Sequence, residues 1–201
     1  MSMIGQISLH LNSDEKLREI LDLVPITEPT TDDDIYFVLM RSIVEQQVSV
    51  KAAATIWGRF LDLFDDYPHP DHVLAFSGDE LNAAGLSFQK AGYIQNIARF
   101  SKEQDLSNSY INSLNDAAAV AHLTQIKGVG KWTAEMILMF SLNRPDVFPV
   151  DDLVIRNAMI KLYGVTSEKR QLIRDLEEIA EPWSPYRSYA CYSLWSWFDK
   201  T

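Results

Sequence analysis

Two short stretches hold the residue types that could do chemistry. In Phe148-Pro149-Val150-Asp151-Asp152-Leu153, a proline turn delivers two aspartates to the head of a helical run that ends at Tyr163. An ionised carboxylate placed there could stabilise developing positive charge or orient a water molecule. The second stretch is Leu123-Thr-Gln-Ile-Lys-Gly-Val-Gly-Lys-Trp-Thr-Ala-Glu-Met, where Gly128 and Gly130 flank Val129 between two helical runs. Glycines there permit a tight turn and let the backbone approach a ligand closely. The amides that follow open a helix whose N-terminal end favours anions, so a phosphate is a natural guest. Lys127 and Lys131 add charge where those amides point. Each stretch also has a plain structural reading: an aspartate at a helix start is usually an N-cap, and Gly-x-Gly can be a simple corner with a glycine stop.

The elements that must position these residues are helical almost throughout. Period-two alternation occurs only at Ile7, Leu9 and Leu11, whereas apolar residues elsewhere recur at helical spacing. Start signals stand at Ser13-Asp14 before Lys16 to Val24, at the Asp32 to Asp34 run before Ile35 to Gln47, at Ser87 before Phe88 to Glu103, and at Ser184-Pro185 before Tyr186 to Phe198. Stops agree with them: Pro25, Gly85 after Asp79 to Ala84, and Gly164 after Asp152 to Tyr163. From Val50 to Phe64, residues Ile56, Phe60 and Phe64 lie one turn apart and form a core stripe. The spacing predicts an all-α fold and is compatible with a two-lobed helical bundle with a cleft between lobes, one lobe of about 35–120 and the other built from about 1–34 and 121–201.

Composition narrows the class. A chain of 201 residues with 47% hydrophobic content can bury a core, and no apolar run approaches the roughly 18 to 20 residues that span a bilayer. A soluble, intracellular (cytoplasmic) protein is expected. One cysteine, Cys191, excludes an internal disulfide and any thiolate cluster from this chain, and its apolar neighbours suggest a buried thiol. His10, His69, His72 and His122 show no ligand spacing. The formal net charge of −10 weighs against nucleic acid, which is normally met by Lys and Arg. The acid is unevenly placed, with runs at Asp32-Asp33-Asp34 and at Asp62, Asp65 and Asp66 that can form a solvated face away from a ligand.

The glycine hairpin followed by the Pro-Val-Asp-Asp turn resembles the helix-hairpin-helix superfamily of DNA glycosylases. The likeness continues in the superfamily's order through Ile43-Val44-Glu45-Gln46-Gln47-Val48-Ser49, Gly85-Leu86-Ser87-Phe88-Gln89-Lys90-Ala91, and Trp183-Ser184-Pro185-Tyr186-Arg187-Ser188-Tyr189-Ala190 with Leu194-Trp195. The last piece is similar to the branch called 3-methyladenine DNA glycosylase II. Together these pieces cover about Ile35 to Phe198. The resemblance implies that Asp152, rather than its neighbour Asp151, is the catalytic carboxylate. It also implies that the Gln46-Gln47 segment enters the minor groove, with Gln47, or Gln46 beside it, as a polar wedge, and that Lys127, Gly128, Gly130, Lys131 and Thr133 contact DNA. A structural monovalent cation held by main-chain oxygens of Thr124, Ile126 and Val129 is implied as well, with no cofactor required.

Relatives that also cut the backbone carry a lysine nucleophile just after the hairpin, where this chain has Trp132, so the resemblance is to the monofunctional branch with water as nucleophile. In that branch Trp132, Trp195 and Met136 match base-pocket positions, while Trp57, Trp183 and Trp197 read as core. Met136, Leu153 and Ser196 depart from aromatic residues common there, leaving the pocket less aromatic. The implied activity is release of 3-methyladenine or 7-methylguanine from double-stranded DNA by a monomer, leaving an abasic site. The longer relatives' β-rich N-terminal domain is expected to be missing. The competing readings are a glycosylase for hypoxanthine or an etheno adduct, a non-catalytic hairpin module that binds DNA with Asp152 as a cap, and an acidic helical interaction domain.

Overall fold

The computed structural model describes residues 2–26 and 34–200, and among them there is helix but no strand. Thirteen α-helices follow in order: α1 (Met3–Leu11), α2 (Glu15–Leu23), α3 (Ile35–Glu45), α4 (Val50–Leu61), α5 (Pro70–Ala75), α6 (Gly78–Ala83), α7 (Phe88–Glu103), α8 (Asn108–Ser113), α9 (Asp116–Leu123), α10 (Lys131–Met136), α11 (Leu153–Tyr163), α12 (Lys169–Ala180) and α13 (Arg187–Phe198). A π-helical turn, Ile137–Ser141, continues α10, and a 3-10 turn, Glu181–Trp183, follows α12. No helix among the described residues is long and apolar enough to cross a membrane.

The expected all-α class is observed, including the one segment whose alternation hinted otherwise. Ile7 and Leu11 of α1 are i and i+4 on a buried face, while Leu9 between them is exposed, so the apparent period of two is a sampling of the helical period. Helix α1 starts at Ser2, whose hydroxyl accepts from the Gly5 amide. Most other starts follow the same chemistry. Asp14 Oδ1 accepts from the Lys16 and Leu17 amides, Asp34 caps α3 through the Phe37 amide, and Ser77 forms a capping box with Glu80. Asp32 and Asp33 lie outside the described residues. Helix α4 ends at Leu61, three residues short of the expected Phe64, because the chain turns there, with Asp65 and Asp66 at φ 50° and 75°. Phe64 still reaches the core from that turn.

The chain forms two units, Thr31–Leu142 and Met1–Thr30 with Asn143–Thr201. The hairpin therefore belongs with the central unit, and the expected boundary near residue 120 falls instead after Leu142. Its attachments explain why: α9 and α10 pack together, the π turn packs on α3, and Asn96 of α7 donates to the Lys127 carbonyl at 3.2 Å.

Helix α3 is the central unit's axis. Ile35, Leu39 and Ile43 make one buried stripe and Tyr36, Met40 and Val44 the next, so about half the helix circumference is covered by α4, α7 and the π turn. At roughly 1.5–3 kcal/mol per large apolar side chain buried, those contacts fix α3 far more firmly than its helix propensity could. In the other unit α13 packs against α11 and α2. Its buried face carries Ser188, Ala190, Cys191 and Ser193, and α11 presents Ala158 beside Ile155 and Met159. Small side chains on both faces let the two backbones approach closely.

Candidate active site and DNA-contacting hairpin

Asp152 is the N-cap of α11, as the plain reading of the sequence has it. Its Oδ1 accepts from the Ile155 amide at 2.8 Å. The same oxygen accepts from the indole N–H of Trp195 at 3.0 Å, a bond that no cap requires. The side chain is 7% exposed. The two donors, the Ile155 amide and the Trp195 indole, fix the direction of the carboxylate at the N-terminus of α11.

The turn before it is braced from two sides. Arg156 on α11 reaches back, donating to the Val150 carbonyl and to Asp151 Oδ1, both at 2.6 Å. Asp151 is thereby an exposed ion-pair partner, whereas Asp152 is buried. Helix α13 supplies the second brace. Ser188 Oγ donates to the Arg144 carbonyl at 2.6 Å and accepts from the Val147 amide at 2.9 Å, and Arg187 pairs with Asp146 at 2.7 Å. Ser184, whose sequence position reads as a helix start, donates to Asp146 Oδ2 instead, and α13 begins without a side-chain cap. Burial works to raise the Asp146 carboxyl, but the bonds from Arg187 and Ser184 outweigh it and hold it below its ordinary value. Ser188, Arg187 and Trp195 of one helix thus fix residues 144–152. Sequence reading gave Arg187 no definite role and Arg156 none.

In the central unit, Gln46, Gln47, Trp132, Thr133 and Met136 line one cavity of about 520 Å³, together with Val38, Ser42, Glu45, Ile137 and Phe140. That volume lies in the ~300–1,000 Å³ range of small-molecule sites. Trp132, on the first turn of α10, is 43% exposed, while Thr133, expected among the DNA contacts, is only 5% exposed in the cavity wall. Trp195 belongs to the other unit with Asp152, where its indole serves as the carboxylate's donor.

The hairpin's two glycines differ in kind. Gly128 has φ +112°, and a Cβ there would lie 2.7 Å from Tyr93 Cβ and overlap the base of its ring. Both the conformation and the contact demand glycine. Gly130, the N-cap of α10, has φ −90° and open space around its Cα, so nothing within the fold requires it. What it does provide is a helix start with no side chain over the amides. Lys127 and Lys131 are exposed beside it, Lys131 lying 3.4 Å from Glu135. The carbonyl of Ile126 accepts from the Val129 amide at 2.9 Å, closing the turn.

One basic residue emerges only from the tertiary structure. Lys90, on the first turn of α7, sends its ammonium to the carbonyls of Val44 at 2.9 Å and Gln46 at 2.7 Å. Burial pulls its pKa below the usual lysine value. The histidines are spent elsewhere: His122 is buried between Phe100 and Tyr110 and bonds the Asp105 carbonyl, and no metal-binding cluster of acidic, His or Cys side chains exists among the described residues. Cys191 is buried. Trp183 is core, its indole donating to Asp14 at 2.9 Å.

Comparison with known proteins identifies the family. Residues 40–182 match the model of the HhH-GPD superfamily base excision DNA repair proteins. DNA-3-methyladenine glycosylase 1 of Schizosaccharomyces pombe is 30% identical over 204 residues, covering 97% of this chain and 88% of the relative. A DNA-3-methyladenine glycosidase structure from Bacillus halodurans superposes with a TM-score of 0.84 at 31% identity, covering 97% of this chain and 88% of that one. The S. pombe 3-methyladenine DNA glycosylase in complex with abasic DNA superposes with a TM-score of 0.81 at 30% identity, covering 95% of each chain. A buried, donor-held aspartate after a glycine hairpin, a match over most of the chain and these relatives place the chain in the HhH-GPD superfamily of base excision DNA repair proteins, among the 3-methyladenine DNA glycosylases.

Proposed function

We propose that the protein hydrolyses the N-glycosidic bond of alkylated purines in double-stranded DNA, releasing 3-methyladenine or 7-methylguanine and leaving an abasic site. The observation that carries this reading is the Asp152 carboxylate, buried and aimed by the Ile155 amide and the Trp195 indole. Alkylation at N3 or N7 leaves the purine cationic, so the base departs without a strong acid, and the enzyme's work moves to the sugar. As the C1′–N bond breaks, C1′ becomes oxocarbenium-like, and a fixed carboxylate stabilises that charge. A water oxygen then bonds to C1′, and Asp152 orients it and accepts its proton.

The everted base occupies the cavity bearing Trp132 and Met136. An indole face attracts a cationic ring by roughly 0.5–2 kcal/mol, which favours a charged purine over a neutral one. Gln46 and Gln47 enter the duplex, Gln47 as a polar wedge filling the gap. Gly128, Gly130, Lys127 and Lys131 bring the amides of α10 to a backbone phosphate, which offsets the unfavourable net charge. Where a lyase needs a lysine amine the chain has Trp132, so strand cleavage is not part of the reaction and the enzyme is of the type II, monofunctional kind. The main-chain oxygens of Thr124, Ile126 and Val129 are neutral, hard donors, a set suited to a monovalent cation that would tether the hairpin to phosphate.

The test is a release assay on duplex DNA treated with a methylating agent. Free 3-methyladenine and 7-methylguanine are expected in the soluble fraction, with strands intact until alkali is added. Release of hypoxanthine or ethenoadenine alone would overturn the substrate assignment, and strand breaks before alkali would overturn the monofunctional one.

A further inference from the structure

The connection from α3 to α4 is held in a conformation that its sequence does not favour. Gln46 leaves the helix at φ −57°, ψ 131°, and Gln47 follows at φ 54°, in the left-handed region that a side chain larger than asparagine seldom enters unless its surroundings impose it. Local bonding is weak, since the Gln46 amide reaches the Ile43 carbonyl only at 3.4 Å. The strong bonds come from 44 and 46 residues away, where Lys90 Nζ bridges the carbonyls of Gln46 and Val44. Those carbonyls lie at the C-terminal end of α3, where the helix dipole favours a cation.

We propose that Lys90 is a positioning residue for base eversion: its ammonium clamps the last carbonyls of α3 and so sets the turn that presents Gln47 at the wall of the Trp132 cavity. The inference rests on the reading of Gln46-Gln47 as the segment that enters DNA.

Lys90 is not needed to join the helices it links. Helices α3 and α7 already pack directly on each other, and each has a buried apolar face, with Ala91, Ile94, Ile97 and Ala98 on α7 and Ile43, Val44 and their stripe on α3. Nor is its charge spent on a carboxylate, because among the described residues its polar partners are those two carbonyls. A partly buried ammonium retained for two backbone acceptors, beside a left-handed glutamine, is a device that fixes a loop.

The experiment compares Lys90→Met, Lys90→Arg and Gln47→Ala in the full chain. Single-turnover release of 7-methylguanine is measured from a paired target and from the same lesion in a mismatch, where eversion costs less. Wedge insertion is read separately on a duplex with 2-aminopurine next to an uncleavable abasic analogue. Lys90→Met is expected to keep the native circular dichroism and to lose on the order of ten-fold in release from the paired target, as removal of a charged hydrogen-bond donor implies. On the mismatch the loss shrinks to within about two-fold, because less eversion energy is asked of the wedge. The 2-aminopurine response falls as it does in Gln47→Ala, and Lys90→Arg, which can still donate to both carbonyls, retains most of it. Equal losses of Lys90→Met on both targets overturn the proposal. So does a drop of about one in the salt slope of binding, the mark of a lost phosphate contact. If Lys90→Met does not fold, the arginine variant decides: a 2-aminopurine response as low as that of Gln47→Ala overturns the proposal, and a near-native one supports it. A native 2-aminopurine response in Gln47→Ala overturns the wedge reading itself. A lost response in Gln47→Ala with a native one in Lys90→Met overturns only the role of Lys90.

Discussion

Asp152 carries a structural duty and a chemical one, and a pair of substitutions separates them. Asparagine keeps an Oδ1 that can accept from both the Ile155 amide and the Trp195 indole, and it is as good an N-cap as aspartate. Asp152→Asn therefore loses only the charge, with a helix-dipole contribution of about 0.3–1 kcal/mol, or at most roughly 2–4 °C in Tm for a chain of this size. Asp152→Ala loses the cap, about 1 kcal/mol, and leaves the Trp195 N–H without its carboxylate, roughly 1–3 kcal/mol more. If the carboxylate stabilises the sugar cation, both variants should lower single-turnover release of 7-methylguanine by about 10²–10³-fold, the scale of a preorganised electrostatic group. Activity then falls alike in the two while stability falls only in one, and DNA binding by Asp152→Asn stays near native. Denaturant titration and base-release kinetics on the same preparations measure both quantities. An Asp152→Asn enzyme releasing base within about three-fold of the native rate would refute the catalytic role, and activity tracking stability across the pair would reduce Asp152 to a cap.

The two hairpin glycines give a second contrast. Gly128→Ala should cost about 2 kcal/mol or more in denaturant stability, from the positive φ and the overlap with Tyr93. Gly130→Ala should be near neutral for stability yet weaken DNA binding, because its φ of −90° and open surroundings accept a methyl group that a phosphate would meet. A native affinity in Gly130→Ala would count against phosphate contact at that amide. Acid stability offers a third check. Because the folded-state pKa of Asp146 is depressed, the stability it contributes is present above the unfolded value near 3.8 and is lost as pH falls below it. Asp146→Asn should thus flatten the decline of stability below about pH 4, and an unchanged acid limb would show that the Arg187 pair contributes little.

The superfamily's signature was legible in the sequence because its parts are local. A glycine turn, the caps at Asp14, Ser87 and Asp152 and the helical spacing along α3 and α7 act over a few residues, so the chain order alone displays them. The short helices α5 and α8 and the end of α4 were harder to delimit, since packing rather than propensity fixes their limits. What only tertiary structure decided are bonds across long sequence separations. Trp195 became the donor to Asp152 across 43 residues, Arg187 the partner of Asp146 across 41, and Lys90 the clamp on Gln46 across 44. The boundary between units moved past the hairpin for the same reason: the hairpin is tied to α3 by the π turn that continues α10 and to α7 by Asn96, and nothing in its own residues announces it. A sequence states which groups are available, but a side chain that bonds a backbone carbonyl leaves no pattern at the acceptor, because every residue has that carbonyl to offer.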